Sequence, residues 1–132
     1  MRILLVEDNV GDVFLVRRAL EKHGLKHLLT VAHNGEEAMQ LLKQAEKGPA
    51  AEAPQLVLLD LNLPKVDGSQ VLAHIRQNYA FAATPVIIIT SSDSPADRDR
   101  ALSLGANVYF RKPTDLNSFM QLGGVIEQFV PR

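Results

Sequence analysis

The chain of 132 residues contains no cysteine. This absence excludes a disulfide framework, a thiolate zinc site and a thiol nucleophile. An excess of charge of one sign is also missing, because 14 Lys and Arg stand against 15 Asp and Glu, for a net charge of -1. Such a balance gives no electrostatic footprint for nucleic acid or a membrane surface, and no local basic run supplies one.

Long hydrophobic runs are absent as well. The first apolar run, 3–6, stops at Glu7-Asp8, too early for a signal-peptide core, and no stretch approaches the length of a membrane span. We therefore expect no membrane association and a cytoplasmic location, which the lack of cysteine also fits. The length and the 46% share of hydrophobic residues predict one well-packed domain over 1–132.

Short apolar runs alternate with segments of helical period along the whole chain, which is the pattern of repeated βα units. The predicted strands are 3–6, 28–32, 56–59, 86–89 and 108–110. The predicted helix starts are Asn9, Asn34, Asp67 or Gly68, Ser94, and Thr114 or Asp115. These elements predict an α/β fold, a doubly wound sandwich with right-handed crossovers.

Three local features of this pattern can be checked against a structure. In the first helix, Val10, Val13, Val16 and Leu20 follow at helical spacing. In the last helix, the buried stripe is expected at Leu116, Phe119, Leu122, Ile126 and Phe129. Gly123-Gly124 lies inside the last helix at a cost of about 1 kcal/mol per glycine relative to alanine, so we expect a kink or fraying there. The Pro- and Ala-rich connection 47–54 is expected to be a mobile surface loop.

The stretch 55–68 organises the rest of the chain. Residues 56–59 form an unbroken apolar run, which is typical of a strand buried on both faces. Asp60 comes where that strand ends, and in parallel sheets ligands gather beyond the carboxyl ends of the strands. The alternative is an aspartate that only ends a strand and opens a turn.

Polar residues follow the other strands toward the same edge of the sheet. Glu7-Asp8 follows the first strand, Thr90 ends the fourth and Lys112 follows the fifth. Converging acids repel one another, and a hard divalent cation bound by oxygen ligands relieves that repulsion, with Mg²⁺ the natural candidate. The alternatives are a solvated helix start for Glu7-Asp8 and a surface cation for Lys112.

These marks match a known family. Glu7-Asp8, Asp60 within 58–64 before Asp67-Gly68, Thr90-Ser91-Ser92 and Lys112-Pro113 together resemble the receiver domain of bacterial two-component response regulators, over the whole chain. The segments 6–9, 60–65 and 106–109 and the long loop before the third strand are similar to stand-alone receivers that work with bacterial phytochrome histidine kinases. The resemblance implies a flavodoxin-like (βα)5 sandwich with a parallel five-stranded sheet of order 2-1-3-4-5.

The resemblance also implies roles for the residues at this edge. Asp60 would be the nucleophile that takes a phosphoryl group from a phosphohistidine of a sensor kinase, with Lys112 and Thr90 contacting phosphoryl oxygens. The carboxylates of Asp8 and Asp60 and the backbone carbonyl of Asn62 would bind Mg²⁺, and Glu7 would act directly or through water.

Two further expectations come from the family. Tyr109 would be the switch aromatic that turns inward when Thr90 moves toward the phosphoryl group; the alternative is a tyrosine that only covers the edge of the sheet. The Lys112-Pro113 bond is a candidate cis bond because the family usually has one.

The output is expected to be protein–protein contact, since no residues remain for a DNA-binding or enzymatic module. The contact surface for a downstream protein, whose identity the sequence does not reveal, would be the fourth helix, fifth strand and fifth helix. Homodimerisation through that face is a hypothesis motivated by Tyr109, Phe110, Phe119 and Phe129.

Three rival functions are weighed against this one. An aspartate-nucleophile phosphatase typically carries a second Asp two residues after the nucleophile, where this chain has Asn62, whose amide cannot shuttle a proton. A flavodoxin-like cofactor carrier needs a hydroxyl- or Gly-rich phosphate loop after its first strand, where Glu7-Asp8-Asn9 would repel phosphate without a metal. A receiver that no longer accepts phosphate is disfavoured because every key residue type is present.

Overall fold

Alternating strands and helices build one parallel sheet with helices on both faces, in a computed structural model that describes residues 1–63 and 65–130. The strands are β1 Arg2–Val6, β2 Leu28–Ala32, β3 Leu56–Leu59, β4 Val86–Thr90 and β5 Val108–Arg111. The helices are α1 Val10–Lys22, α2 Gly35–Lys47, α3 Gly68–Gln77, α4 Pro95–Ser103, α5 Leu116–Met120 and α6 Leu122–Glu127. The sheet order β2-β1-β3-β4-β5, parallel throughout, confirms the predicted doubly wound fold. Pro64, part of the motif 60–65, lies outside the described residues.

The two faces of the sheet bury separate cores, because successive side chains of a strand point to opposite sides. In β3, Val57 and Leu59 pack with residues of α2, α3 and α4, whereas Leu56 and Leu58 pack with residues of α1, α5 and α6. All four β3 side chains are at most 1% exposed, which confirms a strand buried on both faces. The residue that follows, Asp60, therefore leaves the sheet at its centre.

Helices α1 to α5 begin at the predicted capping residues. In each case the capping side chain accepts a hydrogen bond from a backbone N–H of the first turn. These N-caps are Asn9, Asn34, Asp67, Ser94 and Asp115, so Asp115 and not Thr114 starts α5. Among the helices formed by residues 1–63 and 65–130, none combines the length and apolar character needed to cross a membrane.

The predicted buried stripe of the last helix was wrong at Leu116, which is 58% exposed. Val10, which fits the helical spacing of the first helix, is 77% exposed. Each is the first residue of its helix, and first-turn side chains beyond the end of a strand have little core to pack against. The connection 47–54 lies largely at the surface, as predicted, and contains the short 3₁₀ helix Ala50–Glu52; the Arg2 Nε donates to the Ala53 carbonyl at 3.4 Å. Its mobility stays a prediction.

The predicted last helix is interrupted at Gln121, two residues before the glycine pair, and continues as α6. Gly123 is the point at which α6 approaches α1. A Cβ atom at Gly123 would lie 2.6 Å from the Ala19 carbonyl oxygen and would also overlap the His23 ring. The glycine therefore permits close helix packing, which a helix-propensity argument alone could not predict.

We expect Gly123→Ala to lower the free energy of unfolding by about 1–3 kcal/mol, because the added methyl group must displace the α1 backbone. Gly124→Ala is the matched control, since its Cβ would meet nothing closer than the His23 Cε1 at 3.6 Å. This second change should raise stability by about 0.4–1 kcal/mol. Urea unfolding measures both, and equal effects of the two variants would contradict the close approach of α6 to α1.

Candidate functional site

The carboxyl ends of four strands bring the predicted polar residues to one edge of the sheet. Val6 of β1 lies beside Leu59 of β3, so Glu7 and Asp60 leave the sheet side by side. Thr90 at the end of β4 lies beside Arg111 of β5, so Lys112 follows at the same level. Glu7, Asp60 and Thr90 are 1%, 5% and 0% exposed, which makes this edge a buried polar cluster.

The loop after β3 fixes the position of Asp60. The Asp60 N–H donates to the Val6 carbonyl at 3.0 Å, and the Asn62 N–H donates to the Asp60 Oδ1 at 3.0 Å. Gly68 lies so close to this loop that a Cβ would stand 2.7 Å from the Leu61 Cα and would also overlap the Asp60 carbonyl. The Asp67-Gly68 pair therefore both caps α3 and lets it pack against the backbone that carries Asp60.

The Lys112 ammonium lies among three carboxylates. Its Nζ is 2.9 Å from the Glu7 Oε2, 2.8 Å from the Asp12 Oδ2 and 3.0 Å from the Asp60 Oδ2. Burial lowers the pKa of Lys112, but hydrogen bonds to Asp12 and Glu7 and the charge of Asp60 outweigh burial and raise the pKa well above its ordinary value. Lys112 is therefore charged at neutral pH, and it is not the solvated surface cation of the alternative reading.

Glu7 is a buried acid whose pKa is raised. Burial is the largest cause that raises the pKa of Glu7 to about 7; the hydrogen bond from Lys112 opposes it, and the charge of Asp60 adds to it. The Asn9 N–H donates to the Glu7 Oε1 at 3.1 Å, which lowers the pKa by a smaller amount. A further positive charge beside Glu7 would favour its ionised form.

Glu7, Asp8 and Asp60 together form a candidate site for a divalent cation. Carboxylate oxygens of the three lie within 4.8 Å of one another. Glu7 and Asp60 are buried whereas Asp8 is exposed, so the cluster opens to solvent on the Asp8 side. Oxygen donors suit hard divalent cations, and a cation here would offset the burial of the Glu7 charge, so the residues fit such an ion.

The Thr90 hydroxyl connects the site to the loop after β4. The Asn62 Nδ2 donates to the Thr90 Oγ1 at 3.4 Å, and the Ser92 N–H donates to the same oxygen at 3.3 Å. The Ser92 hydroxyl in turn donates to the Asp97 Oδ2 at 2.6 Å, in the first turn of α4. A chain of hydrogen bonds therefore runs from Asn62, beside the Asp60 carboxylate, to α4.

Tyr109 contacts the same loop. It is half-buried against the core beneath α2, α3 and α4, and its Oη donates to the Ser92 carbonyl at 3.0 Å. The tyrosine therefore does more than cover the edge of the sheet, because its hydroxyl holds the backbone two residues after Thr90. Its role as the switch aromatic stays a prediction.

Asp12 is the residue at this site that the sequence reading missed. The sequence pattern marked Asp12 only as part of a helix start, and its N–H does donate to the Asn9 Oδ1 at 3.0 Å. Its carboxylate, however, points to Lys112, one hundred residues away in the chain. One feature of the sequence could have identified Asp12. It lies in the first turn of the helix that follows β1, and that turn is at the same edge of the sheet as Asp60.

Two expectations at this end of the chain need correction. No cis peptide bond occurs among residues 1–63 and 65–130, so the Lys112–Pro113 bond is trans, the isomer that X–Pro bonds favour by about 0.5–1 kcal/mol. Phe119 is 2% exposed and packs edge-to-face with Phe110, with ring centroids 6.1 Å apart. Because this ring lies in the core, Phe119 cannot contribute to a homodimer contact at the surface.

Comparison with known proteins gives consistent matches. A profile described as response regulator receiver domain matches residues 3–122. The chain is 38% identical over 127 residues to response regulator Rcp1 of Synechocystis sp., covering 96% of this chain and 86% of that protein. Among solved structures, the phosphorylated cyanobacterial phytochrome response regulator RcpA is similar with a TM-score of 0.84 at 38% identity, covering 97% of this chain and 91% of that chain. The structure described as the Mn²⁺-bound form of response regulator Rcp1 is similar with a TM-score of 0.85 at 38% identity, covering 97% of this chain and 92% of that chain.

The raised pKa of Glu7 predicts a pH dependence of stability in the absence of metal. Between the ordinary pKa of 4.5 and the folded value of about 7, the folded protein keeps a proton that the unfolded chain has released. The stability that Glu7 contributes is therefore fully present below about pH 4.5 and is lost as the pH rises through about 7. Glu7→Gln removes this loss. As the pH rises from about 4.5 to about 7, the free energy of unfolding of the variant should therefore increase relative to that of the parent by on the order of 3 kcal/mol.

Urea unfolding in the presence of a chelator, at several pH values, measures this difference. Glu21→Gln, which changes an exposed acid of α1, is the control and should follow the parent at every pH. Parallel stability profiles for Glu7→Gln and the parent would show that burial does not raise the pKa of Glu7.

Proposed function

The chain belongs to the response regulator receiver family, the phosphorylation-dependent signalling switches of two-component systems, and we propose that its phosphoryl acceptor is Asp60. The observation that carries this proposal is the setting of the Asp60 carboxylate. It is 5% exposed at the end of the central strand β3, with the Lys112 Nζ at 3.0 Å and the carboxylates of Glu7 and Asp8 beside it. A carboxylate so placed is positioned and charged to act as a nucleophile.

The proposed reaction transfers a phosphoryl group from a phosphohistidine of a sensor histidine kinase. One Asp60 carboxylate oxygen attacks phosphorus; the new O–P bond forms while the P–N bond breaks, and the imidazole leaves with the electron pair of that bond. Negative charge spreads over the phosphoryl oxygens in the transition state, so positioning and charge stabilisation account for most of the rate. Lys112, held charged by its neighbours, pairs with one phosphoryl oxygen, and the Thr90 hydroxyl donates to another.

The proposed cofactor is Mg²⁺, held by the carboxylates of Asp8 and Asp60, the backbone carbonyl of Asn62, and Glu7 either directly or through water. When bound, Mg²⁺ supplies positive charge next to the phosphoryl oxygens. The compact oxygen cluster of Glu7, Asp8 and Asp60 supports a divalent cation, and a similar structure is described as the Mn²⁺-bound form of Rcp1.

The protein is proposed to hold its phosphoryl group and not to turn over phosphoesters as a phosphatase. The residue two positions after Asp60 is Asn62, and its side-chain amide donates to the Thr90 Oγ1 at 3.4 Å. An amide cannot exchange a proton with an attacking water near neutral pH. The acyl phosphate should therefore persist long enough to act as a signal.

The proposed switch uses the hydrogen bonds around Ser92. If the Thr90 hydroxyl turns to a phosphoryl oxygen, it leaves the Ser92 N–H and the Asn62 amide that it now accepts from. Ser92 also accepts from Tyr109 and donates to Asp97 of α4. The rearrangement of these hydrogen bonds would thus reach α4 and β5. We propose that the surface of α4, β5, α5 and α6 contacts a downstream protein. Homodimerisation through this face stays a prediction that rests on Tyr109, Phe110 and Phe129.

The proposed upstream partner is a sensor kinase of the phytochrome type, and the proposed compartment is the cytoplasm. The support is that RcpA is described as a cyanobacterial phytochrome response regulator and that the chain covers 91% of it at 38% identity. A sensor histidine kinase is the coarser partner class that membership of the family supports.

We expect acetyl phosphate with Mg²⁺ to add one phosphoryl group to the protein, and Asp60→Asn to abolish the addition because the amide is not a nucleophile. Removing the metal with a chelator should also stop it. Intact-mass spectrometry measures the product, and Asp93→Asn, which changes an exposed acid of the loop after β4, is the control that should label normally. Label that persists in Asp60→Asn would move the acceptor to another residue.

The kinase proposal predicts a difference between phosphodonors. A phosphorylated phytochrome-type kinase should pass its label to the parent protein within the time in which an unrelated sensor kinase passes little, and to Asp60→Asn not at all. Loss of radioactive label from each kinase over time measures this. Faster transfer from the unrelated kinase would contradict the phytochrome pairing and leave the acceptor assignment standing.

A further inference from the structure

The Lys112 ammonium has three N–H donors, and the structure provides three carboxylates to accept them. Asp60 is the proposed acceptor, and Glu7 belongs to the acidic cluster that would hold the cation. Asp12 lies outside that cluster and makes the shortest of the three contacts, at 2.8 Å. It therefore interacts with the reacting group through Lys112.

The Asp12 carboxylate is aimed by the start of α1. Asn9 caps this helix, with its Oδ1 accepting from the Asp12 N–H at 3.0 Å and its carbonyl accepting from the Val13 N–H at 3.1 Å. The Asn9 N–H also donates to the Glu7 Oε1 at 3.1 Å. The same residue thus orients both Glu7 and the backbone of Asp12, and the two carboxylates approach Lys112 as one preformed unit.

Phosphorylation changes what Lys112 can bind. As a free carboxylate, Asp60 offers a charged oxygen to Lys112 at 3.0 Å. Once one of its oxygens is bonded to phosphorus, the Asp60 acyl group no longer carries that charge, and the strongest acceptors nearby are the phosphoryl oxygens. One N–H of the ammonium then has to change its hydrogen-bond acceptor, while the other two N–H groups keep their carboxylate acceptors and hold the ammonium in place.

We propose that Asp12 is a positioning residue, whose carboxylate, together with Glu7, holds the Lys112 ammonium in place. Meanwhile the third N–H of Lys112 exchanges its hydrogen bond to the Asp60 carboxylate for one to a phosphoryl oxygen. This inference rests on the proposed function, since it concerns the same reaction. It adds an acid that acts through Lys112 and does not touch the phosphoryl group. Without Asp12, Lys112 keeps Glu7 as its anchor, and Glu7 is also drawn to the cation.

The first test is the rate of phosphorylation by acetyl phosphate with Mg²⁺. Asp12→Ala should slow it about tenfold, as expected for the loss of one charge-assisted hydrogen bond to a group that must be positioned. Asp12→Asn keeps an acceptor oxygen and should fall between the parent and Asp12→Ala. Asp93→Ala removes an exposed acid that does not contact Lys112 and should leave the rate within about twofold of the parent.

The second test asks whether the effect of Asp12 passes through Lys112. In a Lys112→Ala background, Asp12→Ala should produce no further slowing, because the group that it positions is gone. A purely structural or long-range charge role would slow both backgrounds by the same factor, and that result would overturn the proposal. Faster phosphorylation of Asp12→Ala would also overturn it, because Asp12 would then compete with the phosphoryl group for Lys112.

Urea unfolding without phosphodonor gives a readout that does not depend on the reaction. It compares the parent, Asp12→Ala, Lys112→Ala and the variant that carries both changes. The effect of Asp12→Ala on stability should be smaller in the Lys112→Ala background than in the parent, and equal effects would mean that the ion pair does not couple the two residues. If the parent takes up no label on Asp60, the proposed function fails and this inference falls with it. If the parent is labelled on Asp60 and Asp12→Ala is phosphorylated at the same rate, the inference is overturned and the proposed function stands.

Discussion

A largely buried ammonium held by carboxylates from three parts of the chain is the interaction on which the site depends. Lys112, 11% exposed, meets Glu7 after β1, Asp12 in α1 and Asp60 after β3. Buried charges are tolerated when they are paired and hydrogen-bonded, and an unpaired member is strongly destabilising. The carboxylates therefore keep Lys112 charged in the interior, and Lys112 in turn allows acids to crowd together where a cation and a phosphoryl group would bind. Burial and the charge of Asp60 still raise the pKa of Glu7, so the Lys112 ammonium does not offset both effects at that residue.

The connection from this charged cluster to the protein surface is made of weaker interactions. Thr90, Ser92 and Asp97 are linked by hydrogen bonds of 2.6 to 3.3 Å, and Tyr109 joins them through the Ser92 carbonyl. A typical hydrogen bond contributes about 0.5–1.5 kcal/mol net, so a phosphoryl charge at the proposed acceptor Asp60 would be large enough to redistribute several of them. A strongly bonded site beside a weakly bonded loop is the physical arrangement that a switch requires, because one part must stay fixed while the other changes.

Glycine residues show how packing can reverse the meaning of a sequence signal. At Gly123 the sequence reading counted a cost in helix propensity, but the structure uses the missing side chain to bring α6 against the Ala19 carbonyl. Gly68 permits a similar approach of α3 to the backbone of Asp60 and Leu61. By contrast, Val10 and Leu116 fit the helical period yet are exposed, because a period identifies a helix face and not where the core ends.

Local patterns in the sequence determined the strands, the capping residues, the sheet order through the resemblance, and the grouping of Glu7, Asp60, Thr90 and Lys112 at one edge. These features depend on residues a few positions apart or on the rule that parallel strands end together. The tertiary structure alone decided that Asp12 binds Lys112, that α6 packs on α1 through Gly123, and that the Lys112–Pro113 bond is trans. The first two depend on distances of a few ångströms between segments about a hundred residues apart, and short-range periodicity carries no information about such distances.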